Sequence, residues 1–512
     1  MKRIAVLLLA LVLCLVTLTD VGPALAEEKL TISVMQSVRD IDTIDVENNW
    51  AIKYLEEKTG VHVAYDMVKQ SDWNTKLTLT LASGALPDVI WGPGALDAEE
   101  YGILQQLVIP LDGYLEECMP TLKSRFDMEP AATVALTASD GHIYGLPSYY
   151  FGSPATPNDG IPFIQKAWLD ALNLEMPKTV DELTDVLRAF KTGDPNGNGI
   201  ADEIPLSSTI TDGANCSIFV LFSFWGIPTD GRTFFSLDEE GKVTFDPYRP
   251  GFRDALEWLN LLYAEGLMDV ETLTQDVSTT TSKIADGVVG LFPFWRLTQM
   301  NIDANLETAA HLYGVAAEGY TPKMHTNLGY MTPRIYLTKD NQHVEETLRW
   351  FDAQLEKETM FNMYCGPKDG NWHYEEDGSL SYFSASGDWS QLCLNVQAML
   401  NVPTPMYAAE NINLSAAYVE KAVYVDAHRE AGMLQTYPNT LLKIVPLSAD
   451  DTYEINLILA DIQTAVQEFV SKSITEGVTD ESWNAFMDIC GKLRVDEYIS
   501  IYQNALDASG MI

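Results

Sequence analysis

Lys29-Leu30-Thr31-Ile32-Ser33-Val34 alternates apolar and polar side chains, as a strand half-buried against a core does. The next sixty residues decide the fold. Residues 50–58 repeat apolar side chains at helical spacing (Trp50, Ile52, Tyr54, Leu55) and stop at Gly60. Val61-His62-Val63-Ala64-Tyr65 alternates again, residues 73–82 make a second helical stretch closed by Ser83-Gly84, and Asp88-Val89-Ile90-Trp91 is a third strand. Strand–helix–strand–helix–strand is the rhythm of an α/β doubly wound parallel sheet. Ligands of such sheets sit beyond the carboxyl ends of the strands, which singles out Trp91-Gly92-Pro93-Gly94.

Downstream, Gly141-His142-Ile143-Tyr144-Gly145-Leu146-Pro147 reads as a connector, followed by an aromatic and proline-rich stretch over residues 149–162. A second α/β segment has helices predicted over 166–172, 180–192 and 252–265, and a strand over 285–295 that runs into an aromatic loop. Tyr336 and Leu337 suggest another strand, and one long helix is expected over 344–363. The C-terminal part is helix-rich, with helices expected over 455–470 and 481–506. There is no internal repeat and no low-complexity segment.

Between the helix over 180–192 and the next apolar run lies Asp194-Pro195-Asn196-Gly197-Asn198-Gly199-Ile200-Ala201-Asp202-Glu203. Oxygen-bearing side chains recur at every second position (Asp194, Asn196, Asn198), glycines between them let the backbone curl, and Asp202 and Glu203 add two carboxylates. A hard cation such as calcium takes six to eight oxygen ligands, and Ile200 can offer a backbone carbonyl where the loop turns back. The loop opens like an EF-hand but has Pro205 where an EF-hand places its bidentate glutamate. The other reading is an ordinary Asx/Pro/Gly turn.

Extracytoplasmic calcium suits the N-terminus. Lys2 and Arg3 precede an apolar run over residues 4–18, a polar break at Thr19-Asp20, and the small-x-small site Ala24-Leu25-Ala26, so residues 1–26 are expected to be a signal peptide. Cys14 follows Leu13, where a lipobox needs a small residue, so secretion without a lipid anchor is expected. The balance of 73 acids against 32 bases, a net charge of −41, argues against nucleic acid and anionic membrane surfaces as partners. Cys118, Cys216, Cys365, Cys393 and Cys490 are odd in number and far apart, which fits occasional buried thiols better than a disulfide framework or a zinc cluster.

No GxSxG elbow, HExxH helix, Walker loop or glycine fingerprint is present, and the seven histidines are scattered. That shifts weight towards binding rather than turnover. The positive signal is aromatic: 11 Trp, 23 Tyr and 18 Phe. Trp91, Tyr149, Tyr150, Trp225, Trp295 and Tyr330 fall at predicted strand ends or connectors. Flat rings with a polar edge suit a sugar, although any one such ring is more often core.

Several segments together resemble the extracellular solute-binding proteins of carbohydrate ABC importers, in the large subgroup that includes alginate- and oligosaccharide-binding lipoproteins. They are WNTKLTLTLASGALPD (73–88), GHIYGLP (141–147), IQKAWLDALNL (164–174), PKTVDELTDVLRAFKTGDPNGNGIADEIPL (177–206) and DEYISIYQNAL (496–506). Ala85, Gln165, Ala167 and Lys368 depart from the usual pattern, as does the missing lipobox. The resemblance implies a two-lobed periplasmic-binding-protein-like fold of type II with crossover hinge segments. The expected lobes are 27–146 and 321–365 for the first, 147–320 and 366–512 for the second. It also implies a structural calcium ion held by Asp194, Asn196, Asn198, the Ile200 carbonyl, Asp202 and Glu203. With no catalytic residues expected, the protein is expected to act as a monomer whose partners are an oligosaccharide captured between the lobes and a membrane permease. Trp91, Tyr149, Tyr150, Trp295, Arg296 and Tyr330 are the candidate ligand contacts. The alternative is a secreted, calcium-stabilised enzyme acting on polysaccharide.

Overall fold

The computed structural model describes residues 30–38, 45–92, 96–128, 133–134, 136–149, 160–210, 216–229, 231–294, 309–326, 330–376, 380–382, 412–413, 424–425, 427–439 and 441–512. Of fourteen strands among the described residues, eleven build the two main sheets and a hairpin: β1 Leu30–Val38, β2 Val61–Lys69, β3 Val89–Trp91, β4 Leu146–Tyr149, β5 Ile161–Gln165, β6 Ile204–Leu206, β7 Phe235–Leu237, β8 Val243–Phe245, β9 Val289–Phe294, β10 Ala309–His311 and β11 Tyr330–Leu337; the other three, Trp372–Tyr374, Leu380–Tyr382 and Ile412–Asn413, form a small sheet of their own.

The first sheet has the order β2-β1-β3-β11-β4. β1 is parallel to both β2 and β3, which is the expected strand–helix–strand–helix–strand unit. Its first helix, Trp50–Thr59, starts where the Asn49 side chain accepts the Ile52 amide proton and stops at Gly60, in the left-handed region at φ 72°. The departure from an all-parallel sheet is β11, which enters antiparallel between β3 and β4. The second sheet is also mixed, with the order β10-β5-β9-β6, β9 antiparallel to β5 and parallel to β6. β7 and β8 form a separate hairpin.

Between the described strands of these two sheets the chain crosses twice, and after the helices that follow β11 it passes back to the second lobe, where its C-terminal helices pack. It leaves the first after Tyr149 and enters the second at Ile161; it leaves the second after His311 and returns at Tyr330. The expected connector ends as a strand of the first sheet, since β4 runs to Tyr149. Tyr330 lies opposite Tyr149, so departure and return occur on adjacent strands.

Two expected helices are each broken in two. The helix expected over 344–363 is Val344–Leu355 and Lys357–Cys365, interrupted at Glu356, whose backbone is extended (ψ 134°) and whose carboxylate lies 2.8 Å from Lys58 Nζ. The helix expected over 481–506 is Asp480–Lys492 and Val495–Ser509. At that break Arg494 has φ 63°, and its guanidinium reaches Glu454 at 2.8 Å and Glu497 at 2.6 Å. Neither break carries proline, and apolar periodicity continues across both. The helix expected over 455–470 is longer, Ala449–Glu476, capped by Ser448 accepting the Asp451 amide and ended by Gly477.

Candidate functional site

The oxygen-rich loop is held at both ends. Upstream, the helix Val180–Thr192 opens with a capping box: the Thr179 hydroxyl accepts the Glu182 amide, and the Glu182 carboxylate accepts the Thr179 and Lys178 amides. Val180, Leu183, Val186, Leu187 and Phe190 are buried, while Trp258 Nε1 donates to Thr184 Oγ1 at 2.9 Å from the neighbouring helix Pro250–Ala264. Near its end, Arg188 forks onto Glu265 at 2.7 and 2.6 Å, and Lys191 Nζ donates to the Glu265 carbonyl at 2.6 Å. Downstream the chain becomes β6, paired with β9 and bridged to Met268 on its other side.

Between these anchors the backbone coils inward. Asp194, Gly197 and Gly199 all have positive φ (46°, 70° and 75°), which glycine adopts freely and aspartate tolerates better than most residues. The Asp194 carboxylate accepts the Gly199 amide at 3.2 Å, Asn196 Oδ1 accepts the Asn198 amide at 3.0 Å, and Asn198 Oδ1 accepts the Ile200 amide at 2.6 Å. Both asparagine amides also donate to Asp202, Asn196 at 3.3 Å and Asn198 at 3.1 Å. Asp194 is thus tied across the coil to Gly199, and Asn196, Asn198 and Asp202 are gathered by direct contact. The Ile200 side chain points outward, 60% exposed.

The residues present suit a hard cation. Glu203 Oε1 is buried and has no hydrogen-bond partner, an arrangement that costs free energy unless something positive or proton-bearing occupies the gap. Among the described residues, no three His, Cys, Asp or Glu side chains converge closely enough to hold a metal by themselves. An ion here would draw on amide and backbone oxygens as well as the three carboxylates. Mixed carboxylate, amide and carbonyl oxygen is the donor set of calcium, not of zinc.

The expected ligand contacts fare differently from one another. Trp91 is a core ring. It is 3% exposed and meets Trp350 and Phe351 edge-on at 6.5 and 5.3 Å, under the helix Val344–Leu355. β3 is a central strand whose three residues are all buried, so a ring at its end is covered rather than presented. Trp225 is likewise buried, packed on Trp258 at 5.4 Å. Of Tyr149 and Tyr330 the structure describes the backbone: they face each other across β4 and β11 where the two crossovers meet the first sheet. Tyr150, Trp295 and Arg296 lie outside the described residues. Phe294, immediately before Trp295, pairs with Ile161, the residue at which the first crossover enters the second sheet. The tyrosine positions and the end of β9 thus all border the crossovers, whereas Trp91 belongs to the interior.

The Glu265 clamp on the loop's upstream helix was not visible in the sequence. Its partners are 74 and 77 residues apart, and nothing local marks them.

The model of the bacterial extracellular solute-binding protein family matches residues 45–360. The chain belongs to that family. Among curated relatives, the fructooligosaccharide ABC transporter substrate-binding protein FusA of Streptococcus pneumoniae is 29% identical over 501 residues, covering 94% of this chain and 91% of the relative. The structure of FusA with kestose superposes with a TM-score of 0.78 at 26% identity, covering 94% of this chain and 99% of that one. A FusA EF-hand mutant with fructo-nystose gives 0.77 at the same identity and coverage. An extracellular solute-binding protein from Bifidobacterium longum subsp. infantis has a TM-score of 0.79 at 22% identity, again over 94% of this chain and 99% of that one, a likeness of fold. The two-lobed α/β architecture is that of this family.

Proposed function

We propose that this protein is the extracytoplasmic solute-binding component of an ABC importer, capturing an oligosaccharide between its two lobes and delivering it to a membrane permease. The observation that carries the reading is likeness to a fructooligosaccharide-binding importer component along nearly the whole of both chains. Family membership favours a binder over the alternative of a polysaccharide-acting enzyme.

Crossover segments between two lobes allow hinge bending, and a ligand touching both lobes favours the closed form by its differential affinity for that form. Tyr149, Tyr150 and Tyr330 on the first lobe and Trp295 with Arg296 on the second are our candidate contacts. Aromatic rings would stack on the apolar faces of the sugar, and the guanidinium would donate to its hydroxyls. We further propose that calcium is bound by Asp194, Asn196, Asn198, the Ile200 carbonyl, Asp202 and Glu203 as a structural ion. The unpartnered Glu203 oxygen supports this, as does a relative of comparable fold whose solved structure is that of an EF-hand mutant. The protein is read as secreted and monomeric, with residues 1–26 removed.

Calorimetry with kestose and a panel of other neutral and acidic oligosaccharides tests the reading. One-to-one binding of at least one sugar, with no new reducing ends after prolonged incubation, is the expected result. Release of reducing ends would establish the enzyme instead. A panel with no binder, with calcium present, would remove the carbohydrate assignment.

A further inference from the structure

The only two Asn-Gly pairs of the chain, Asn196-Gly197 and Asn198-Gly199, stand back to back in loop 194–203. Such a pair carries a reaction of its own. The glycine backbone nitrogen gives up its proton and bonds to the asparagine Cγ, while the Cγ–Nδ2 bond breaks and ammonia leaves with that proton. The cyclic imide then takes up one water at either of its carbonyls. It opens to aspartate, or to isoaspartate, in which the main chain runs through the side-chain carbon. Glycine has no Cβ to obstruct the ring, and Gly197, Asn198 and Gly199 are exposed to the water that completes the step.

The folded loop withholds the geometry this reaction needs. The new bond forms where the glycine N–H bond was, because the imide nitrogen is as planar as that of a peptide. An amide whose proton is held by an acceptor must therefore first be released. Gly199 N donates to the Asp194 carboxylate, 3.3 and 3.2 Å from its two oxygens, whereas Gly197 N donates to the Asp194 backbone carbonyl at 3.1 Å. Each asparagine side chain must also swing round to the nitrogen that follows it, and each is pinned at both ends. Asn198 Oδ1 accepts the Ile200 amide at 2.6 Å, and its Nδ2 donates to the Asp202 carboxylate at 3.1 and 3.2 Å. Asn196 Oδ1 accepts the Asn198 amide at 3.0 Å, and its Nδ2 donates to Asp202 at 3.3 Å.

We propose that Asn198 is a deamidation site held closed by the Asp194 carboxylate, and that Asp202 closes Asn198 and Asn196 together. The two asparagines differ in what guards them. Asn198 is exposed and its glycine nitrogen is held by a side chain; Asn196 is half-buried and its glycine nitrogen is held by the main chain. Asn198 is therefore the first to react when the loop loosens. Isoaspartate there inserts a main-chain carbon between Asp194 and Asp202, the two residues that gather the loop.

The test is peptide mapping by mass spectrometry on the full chain, aged in EDTA below its melting temperature, so that the outcome does not depend on whether the loop holds an ion. In the wild type both asparagines should deamidate far more slowly than in the same chain unfolded in urea. Asp194→Ala should speed Asn198 about tenfold or more, the factor that losing one hydrogen bond to a charged group gives, and leave Asn196 little changed. Asp194→Asn keeps an oxygen that can accept the Gly199 amide, so it should speed Asn198 less than Asp194→Ala does. Asp202→Ala should speed both asparagines. A wild type that reacts as fast as the unfolded chain would overturn the proposal, as would an Asp194→Ala variant that speeds neither asparagine or both equally.

Discussion

Removing the proposed calcium ion should cost the protein several degrees of melting temperature. Loop 194–203 carries the carboxylates of Asp194, Asp202 and Glu203, and Glu203 keeps one buried oxygen unpaired. Asp202 accepts from the two asparagine amides and Asp194 from the Gly199 amide, so a cation would find the Glu203 oxygen without a competing donor. An ion that binds only the folded state stabilises it by RT ln(1 + [L]/Kd), about 2.7 kcal/mol at a hundredfold excess over Kd. Unfolding entropy of roughly 2.1 cal/mol/K per residue over a lobe of about 250 residues converts this to ~5 °C, or ~3 °C if a unit twice that size melts together. Differential scanning calorimetry in calcium and in EDTA reads the shift directly. Asp194→Ala also loses the Gly199 hydrogen bond, so its absolute stability falls in either buffer. The informative quantity is the difference between buffers, which should vanish in that variant. Equal melting temperatures for the wild type with and without chelator, together with no heat on calcium titration, would reduce the loop to an Asx turn.

Two further substitutions probe the first lobe. Trp91→Ala should destabilise by about 3–5 kcal/mol, because it removes a large ring packed against Trp350 and Phe351. Oligosaccharide affinity of the folded fraction should be unchanged, and a selective loss of affinity in calorimetry would return Trp91 to the ligand site. At Gly92 an added Cβ would come within 2.0 Å of the Trp73 ring, so Gly92→Ala should cost roughly 1–3 kcal/mol in urea unfolding. In a Trp73→Leu background that penalty should largely disappear, and a cost that persists would place the constraint in the backbone.

What could be read from the residues divides along a physical line. β1, β2 and β3 with their intervening helices were legible because each is short, periodic and ended by a glycine or a turn, so local pattern and global fold agree. The coil of loop 194–203 was legible because its oxygen-bearing residues and glycines are neighbours in sequence. Trp91 was misplaced because the carboxyl end of a strand faces the ligand cleft only where nothing else covers it. The cover is the helix Val344–Leu355, about 260 residues further along the chain. The helix breaks at Glu356 and Arg494 escaped for a related reason. Neither has a proline, the second has only Gly491 in the turn before it, and each is accompanied by ion pairs to distant partners, Lys58 in one case and Glu454 in the other. Such pairs are individually weak when exposed, so they select between conformations of similar energy rather than create one. The same holds further along the chain. Residues 424–425 and 427–439 have no strong pattern of their own, and their contacts with residues 312–324 include backbone and hydroxyl bonds to partners more than 100 residues away. Elements built from near neighbours therefore announce themselves in a single sequence. The polar contacts made between residues far apart in the chain come into view only when it is folded.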